Sequence, residues 1–152
     1  MLTDQILNYA LLGAIAAEEY ETVINLIDAG ASLAGADSKG RTALHHAAQQ
    51  QCPEIVHALI EHGADLAARD LDGQTPLHLA ISRGNSGMLR TLIDAGADVH
   101  AKDNSGITPQ GIAQSSAMPV GIDEVLERAI TDSKRNHCSR LGTLNTNGSR
   151  SR

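Results

Sequence analysis

The chain is nearly devoid of aromatic side chains: its 152 residues include two Tyr, no Phe and no Trp. That excludes stacking platforms for bases, an aromatic cage, and a core built from large rings. Cysteine is scarce too. Cys52 and Cys138 are too few and too far apart for a disulfide framework or a CxxC metal or redox site, so a reducing, cytoplasmic setting is the default expectation. No long apolar run exists. The segment MLTDQILNYALLGAIAAEEY lacks a basic leading stretch and carries Asp4, Glu18 and Glu19, so it reads as neither a signal peptide nor a membrane span. Basic residues are few and unevenly placed: residues 1–131 hold 17 acids and 7 bases, while 132–152 hold one acid and five bases. An acidic body argues against binding nucleic acid through neutralised phosphates.

What is abundant is Leu, Ile, Val and, with 22 copies, Ala. A core of such residues calls for close approach of helices rather than interdigitated bulk. Self-comparison supplies the arrangement. Gly40-Arg-Thr-Ala-Leu-His-His-Ala-Ala48, Gly73-Gln-Thr-Pro-Leu-His-Leu-Ala-Ile81 and Gly106-Ile-Thr-Pro109 follow one another at 33 residues. A second marker keeps that step: Gly30-Ala-Ser-Leu, Gly63-Ala-Asp-Leu and Gly96-Ala-Asp-Val, each followed by Asp37, Asp70 or Asp103. Two markers in phase define a repeat.

Residues 70–102 are the best copy. Asp70-Leu-Asp-Gly73 predicts a turn, since Asp bonds its own downstream backbone and Gly73 tolerates positive φ. Thr75 then N-caps a helix whose first residue, Pro76, needs no donor. Leu77, Ala80 and Ile81 form one apolar stripe. Gly84-Asn-Ser ends the helix. A second helix presents Met88, Leu89, Leu92 and Ile93, and Gly96 closes it as a left-handed cap. Across units the ridge recurs as Val23, Leu26, Ile27; Val56, Leu59, Ile60; Leu89, Leu92, Ile93; and Ile122, Val125, Leu126. One helix pair cannot bury that ridge alone, so the units are expected to stack.

A 33-residue period with T-P-L-H-x-A, D-x-x-G before it and G-A-D-x-x-A-x-D after it resembles the ankyrin repeat. The resemblance implies an all-α, ankyrin-type helical repeat solenoid of about four helix-turn-helix repeats joined by β-hairpin-like loops. The expected division is an N-terminal capping repeat over 1–36, repeats over 37–69 and 70–102, a degenerate C-terminal capping repeat over 103–130, and a disordered basic tail over 131–152. The first unit departs from the pattern, with Tyr9-Ala-Leu-Leu12 in place of TPLH. In the last, Gln110 and Gly111 replace Leu and His, and Gly121 predicts a final helix that starts late. Gln51 stands where a glycine is usual, predicting mild backbone strain.

The chemistry-bearing residues read as architecture. The resemblance implies that His45 and His78 bond neighbouring Thr and backbone groups and so brace adjacent repeats. His46, Cys52, His57 and His62 lack the spacing of a tetrahedral metal site. Ser82, Ser86, Cys52 and Cys138 have no spacing-defined base, and Gly106-Ile-Thr-Pro-Gln-Gly111 lacks the Lys-Ser/Thr of a phosphate loop. Asp65, Asp70, Asp98 and Asp103 read as loop braces. No catalytic residue, metal or cofactor is expected, and the chain is read as no enzyme.

Function is then left to surface. The resemblance implies a partner-binding concave face made by hairpin tips and the outward side of each first helix. The matching positions are Ser38, Lys39, Arg41, His46, Gln49 and Gln50; then Leu71, Asp72, Gln74, Leu79, Ser82 and Arg83; then Asn104, Ser105, Ile107 and Ile112. Leu71, Leu79, Ile107 and Ile112 are apolar where the scaffold does not require it, and form either one binding patch or side chains half-buried against the next repeat. Arg41 and Arg83 are candidate charged anchors. The expected role is a non-enzymatic protein–protein interaction module, an adaptor or inhibitor acting as a monomer, with a protein partner and neither nucleic acid nor membrane. The alternative is a regulatory subunit or secreted effector that docks on an enzyme and modulates it. The tail is either a dispensable solvated segment or a basic tether, with Ser133, Ser139 and Ser149 as modification points.

Overall fold

A computed structural model of the chain describes residues 2–115 and 121–146, without the side chains of 133 and 136–146. These residues form eight helices and no strand: α1 (Leu2–Ala16), α2 (Tyr20–Asp28), α3 (Ala43–Gln50), α4 (Pro53–Glu61), α5 (Pro76–Ser82), α6 (Ser86–Asp94), α7 (Pro109–Ser115) and α8 (Ile122–Thr146). They pair as α1·α2, α3·α4, α5·α6 and α7·α8. First helices line up as α1, α3, α5, α7, and second helices as α2, α4, α6, α8. The predicted stack of four units is therefore present.

Local chemistry explains each unit. Before α5, the Asp70 carboxylate accepts the amides of Asp72 (3.0 Å) and Gln74 (2.9 Å). Asp37 and Asp103 do the same for their own turns, and each turn closes on a glycine at positive φ, Gly40, Gly73 or Gly106. Thr42 and Thr75 start α3 and α5 in a reciprocal capping box whose second member is a histidine rather than the usual Glu or Gln. Asn85 caps α6 through Met88 N–H at 3.0 Å. After α6 the chain turns left-handed at Gly96, with Gly96 N–H donating to Ile93 O and Ala97 N–H to Leu92 O. Gln51 is left-handed at φ 69°, the predicted strain.

The core runs the length of the stack and is made of Leu, Ile, Val, Ala and Met88. Val56, Leu59, Leu89, Leu92 and Ile122 are fully enclosed, as the recurring ridge requires. Both tyrosines face outward. The hairpin-like loops are tight turns rather than ribbons, since one isolated bridge, Ala36 to Thr42, is the only β-pairing among the described residues. α8 begins late, at Ile122 after Gly121 with φ 112°. It also differs from the disordered tail expected from residue 131: the helix continues to Thr146. The last of its described side chains to be buried is Ile130. Asp123 and Glu124 in its first turn complement the helix dipole, whereas residues 131–146 are rich in Thr, Ser and Asn and include Gly142, so local propensity gives no sign of the extension. Residues 147–152 of the expected tail lie outside the described residues, and the side chains of Ser133, Ser139 and Ser149 are not described.

Candidate functional site

The two in-phase histidines are fully buried. His45 Nδ1 accepts Thr42 N–H at 3.2 Å, and its Nε2 lies 2.9 Å from Gln74 O. A backbone amide can only donate and a carbonyl only accept, so the ring is the neutral Nε2–H tautomer. His78 repeats this on Thr75 N–H (3.2 Å) and Ile107 O (3.2 Å). Each ring ties its own turn to the next unit 29 residues on. Burial holds His45 below its ordinary pKa, with Arg41 and His46 adding to that and the Gln74 carbonyl and Asp70 opposing it.

The turns are joined tip to tip. Leu71 N–H donates to Lys39 O (3.0 Å), and Asn104 N–H donates to Asp72 O (3.0 Å). The Asn104 side-chain amide adds a bond to Leu71 O at 2.9 Å. Arg69 spans the same joint, from Gly73 O (3.1 Å) to Lys102 O. Three consecutive tips thus form one rigid row. Ser38, Lys39, Leu71, Asp72, Asn104, Ser105 and Ile107 are exposed along it, with Leu71 71% and Ile107 44% accessible.

Several expected contact residues are committed elsewhere. Leu79 is buried, because α5 is sandwiched between α3 and α7 and encloses Pro76 to Ile81 whole. Ile112 is half-buried against the core. The four-residue apolar patch therefore reduces to Leu71 and Ile107. Arg41 Nε faces the enclosed Asp70 Oδ2 at 3.6 Å, and its Nη1 donates to Gln49 Oε1 at 3.3 Å. Each atom of that ion pair is buried without a hydrogen-bond partner, so Arg41 serves the joint between two units before any outside anchor. His46 Nε2 lies 2.9 Å from Asp37 Oδ2. Burial raises the Asp37 pKa, but the amides of Arg41 and Lys39 and the His46 ring outweigh it and hold the carboxyl below its ordinary value. Gln74 spends its backbone on Asp70 and His45. Gln49 is half-buried, and Gln50, Ser82 and Arg83 are exposed at the C-terminal ends of α3 and α5, away from the tips.

Sequence reasoning missed the Arg41–Asp70 pair, although its 29-residue offset equals that of His45 and Gln74 and marks the same joint. It also missed a groove of about 530 Å³ between α2 and α4, lined by Glu18, Tyr20, Cys52, Glu54, His57 and Glu61. There burial, then the Glu18 and Glu54 carboxylates, push the Cys52 thiol above its ordinary pKa, which makes it a poor thiolate source. His62 Nδ1 is 2.7 Å from Ala58 O. No three His, Cys, Asp or Glu side chains converge as a metal requires among the described residues, and no described helix is long and apolar enough to cross a membrane.

The family model for ankyrin repeats, three copies in tandem, matches residues 11–103, well over half of the chain. No curated protein matches it. Ankyrin repeats generally mediate protein–protein interaction and are typically non-catalytic. With the period, the capping histidines and the stacked helix pairs all in agreement, the chain belongs to the ankyrin repeat family.

Proposed function

We propose that this protein is an adaptor or inhibitor that holds a partner protein along the row of tips and the exposed flank of the first helices, the side that ankyrin stacks present as concave. The observation that carries this reading is the hydrogen-bonded row itself, which sets Leu71 and Ile107 outward on a backbone that is already ordered. A pre-ordered surface binds without the entropic cost of fixing loops, and exposed aliphatic groups flanked by Asp72, Asn104 and Ser105 offer an apolar centre with a polar rim. The site supported best is therefore Lys39, Gln50, Leu71, Asp72, Ser82, Arg83, Asn104, Ser105 and Ile107.

Affinity capture from native lysate with Leu71→Asp/Ile107→Asp as the paired bait tests it. Both positions are exposed, so circular dichroism and melting should match the parent within about 0.5 kcal/mol. A protein retained by the parent and lost from the double variant supports the reading; retention by both baits overturns it. A regulatory subunit or effector docking on an enzyme is the second reading, favoured by the basic run on α8, where Lys134 and Arg135 are exposed. It requires that deleting residues 132–152 change the activity of the captured enzyme.

A further inference from the structure

α1 is apolar on both sides. One side carries Leu11, Ala14 and Ile15 into the core. The other carries Leu2, Ile6, Tyr9, Ala10, Gly13 and Ala16, all exposed, with Leu2 at 77%, Ile6 at 60% and Tyr9 at 71%. At 3.6 residues per turn these six fall within an arc of roughly 120°, and no polar residue of the helix shares it. A helix of a stack needs one apolar stripe facing the core, so the second apolar face is left without a partner inside the described chain.

The middle of that face continues the established stacking interface. Stepping by 33, Ala10 corresponds to Ala43, Pro76 and Pro109, which are buried, and Gly13 to His46, Leu79 and Ile112, of which Leu79 is buried and the other two half-buried. Those residues have a preceding unit against them, whereas α1 has none among the described residues.

We infer that the occupant is α1 of a second copy, packed antiparallel about a two-fold axis between Tyr9 and Ala10. That register sets Ile6 opposite Gly13, Tyr9 opposite Ala10, and Leu2 opposite the Ala16–Ala17 end, so each bulky residue meets a small one. Gly13 supports it separately: a glycine inside a helix costs about 1 kcal/mol against alanine and calls for a packing reason, and here a Cβ would meet nothing within 4 Å of its own chain. The bare backbone is open to a neighbour's side chain. Charge agrees, since the antiparallel order brings the positive N-terminal end of one α1 toward Glu18 and Glu19 after the other. A parallel pair would oppose Leu2 to Leu2 and leave a gap at Gly13. The contact is isologous and closed, so it stops at two chains. A 15-residue helix is only about 22 Å long, which places the interface at the small, concentration-dependent end, in place of the monomer expected from the sequence.

Sedimentation and light scattering of the full chain across a concentration series test the pairing. The mass should rise from 16.0 kDa to about twice that, as a two-chain closed assembly requires, and Ile6→Glu and Tyr9→Glu should each hold it at one chain with unchanged helical circular dichroism. On a Cys52→Ser/Cys138→Ser background, Ala10→Cys lies beside the axis and should cross-link under oxidation, while Leu2→Cys should not. A mass that stays at one chain throughout, whether or not some other protein covers α1, overturns the inference. So does a dimer that survives Ile6→Glu, or cross-linking of Leu2→Cys as complete as that of Ala10→Cys.

Discussion

His45 is a base kept neutral by its position, and stability should register that. Its pKa is lowered in the folded chain, with burial as the main cause, so the unfolded chain takes up a proton first. Stability is complete above the ordinary histidine value of about 6.5 and falls as pH drops through it toward the lower folded value. Urea midpoints at pH 8 and pH 5.5 check this, and His45→Gln should flatten the difference. Asp37 has the opposite character: its lowered pKa contributes stability that is lost only below about pH 3.8. Glycine replacements separate backbone strain from crowding. Gly63→Ala meets open space at φ 88° and should cost about 1–2 kcal/mol from the left-handed backbone alone. Gly73→Ala adds a Cβ 2.7 Å from Asn104 N at φ 74°, so its denaturation midpoint should fall further. Arg41→Glu would place a second carboxylate against the enclosed Asp70 and should cost about 2–3 kcal/mol by thermal melting, which makes it a probe of stability rather than of binding.

Elements of equal length are unequally secured. α5 and α7 both have seven residues, yet α5 buries six of them and α7 only Pro109 and Ala113. Even one more enclosed aliphatic side chain is worth about 1.5 kcal/mol or more, a factor of about ten in opening. Amides of α7 should therefore exchange with deuterium about tenfold or more faster than those of α5; equal rates would contradict this packing. In α6, Leu92 is fully enclosed between units, and Leu92→Ala should lower stability by about 2–5 kcal/mol in denaturant titration. α8 shows why length is hard to read from sequence. Its stem is held by Ile122, Leu126 and Ile130, and the helix then runs on to Thr146 through a Thr-, Ser- and Asn-rich stretch that carries no helix signal of its own.

Across the whole molecule, stability is a chain of nearest-neighbour joints. The second and third joints each combine an aliphatic ridge, a histidine reaching forward to a carbonyl, and bonded loop tips, so the units from residue 37 onward, with the tip at 103–107, carry the row that the proposed partner would occupy. Removal of residues 132–152 takes away no described side chain that is buried, and the melting temperature should stay where it is by circular dichroism. The two ends differ in kind. The family match stops at residue 103, yet α7 and α8 complete a fourth pair beyond it, and α1 starts before residue 11 with a helical segment that no internal unit has.

The sequence by itself determined the period, the turns and the ridges, because Asp, Thr-Pro, His and Gly at fixed offsets act through bonds spanning four residues or fewer. Leu77, Leu89 and Leu92 could be assigned to the core for the same reason: helical spacing puts them on one side. Tertiary structure alone decided which exposed-looking positions stay exposed. Leu79 and Leu71 are both aliphatic and only eight residues apart, but the next unit covers one and leaves the other at the tip, and Arg41 is claimed by an aspartate 29 residues away. Such outcomes depend on what a neighbouring repeat places alongside, and no local pattern within a single unit encodes them.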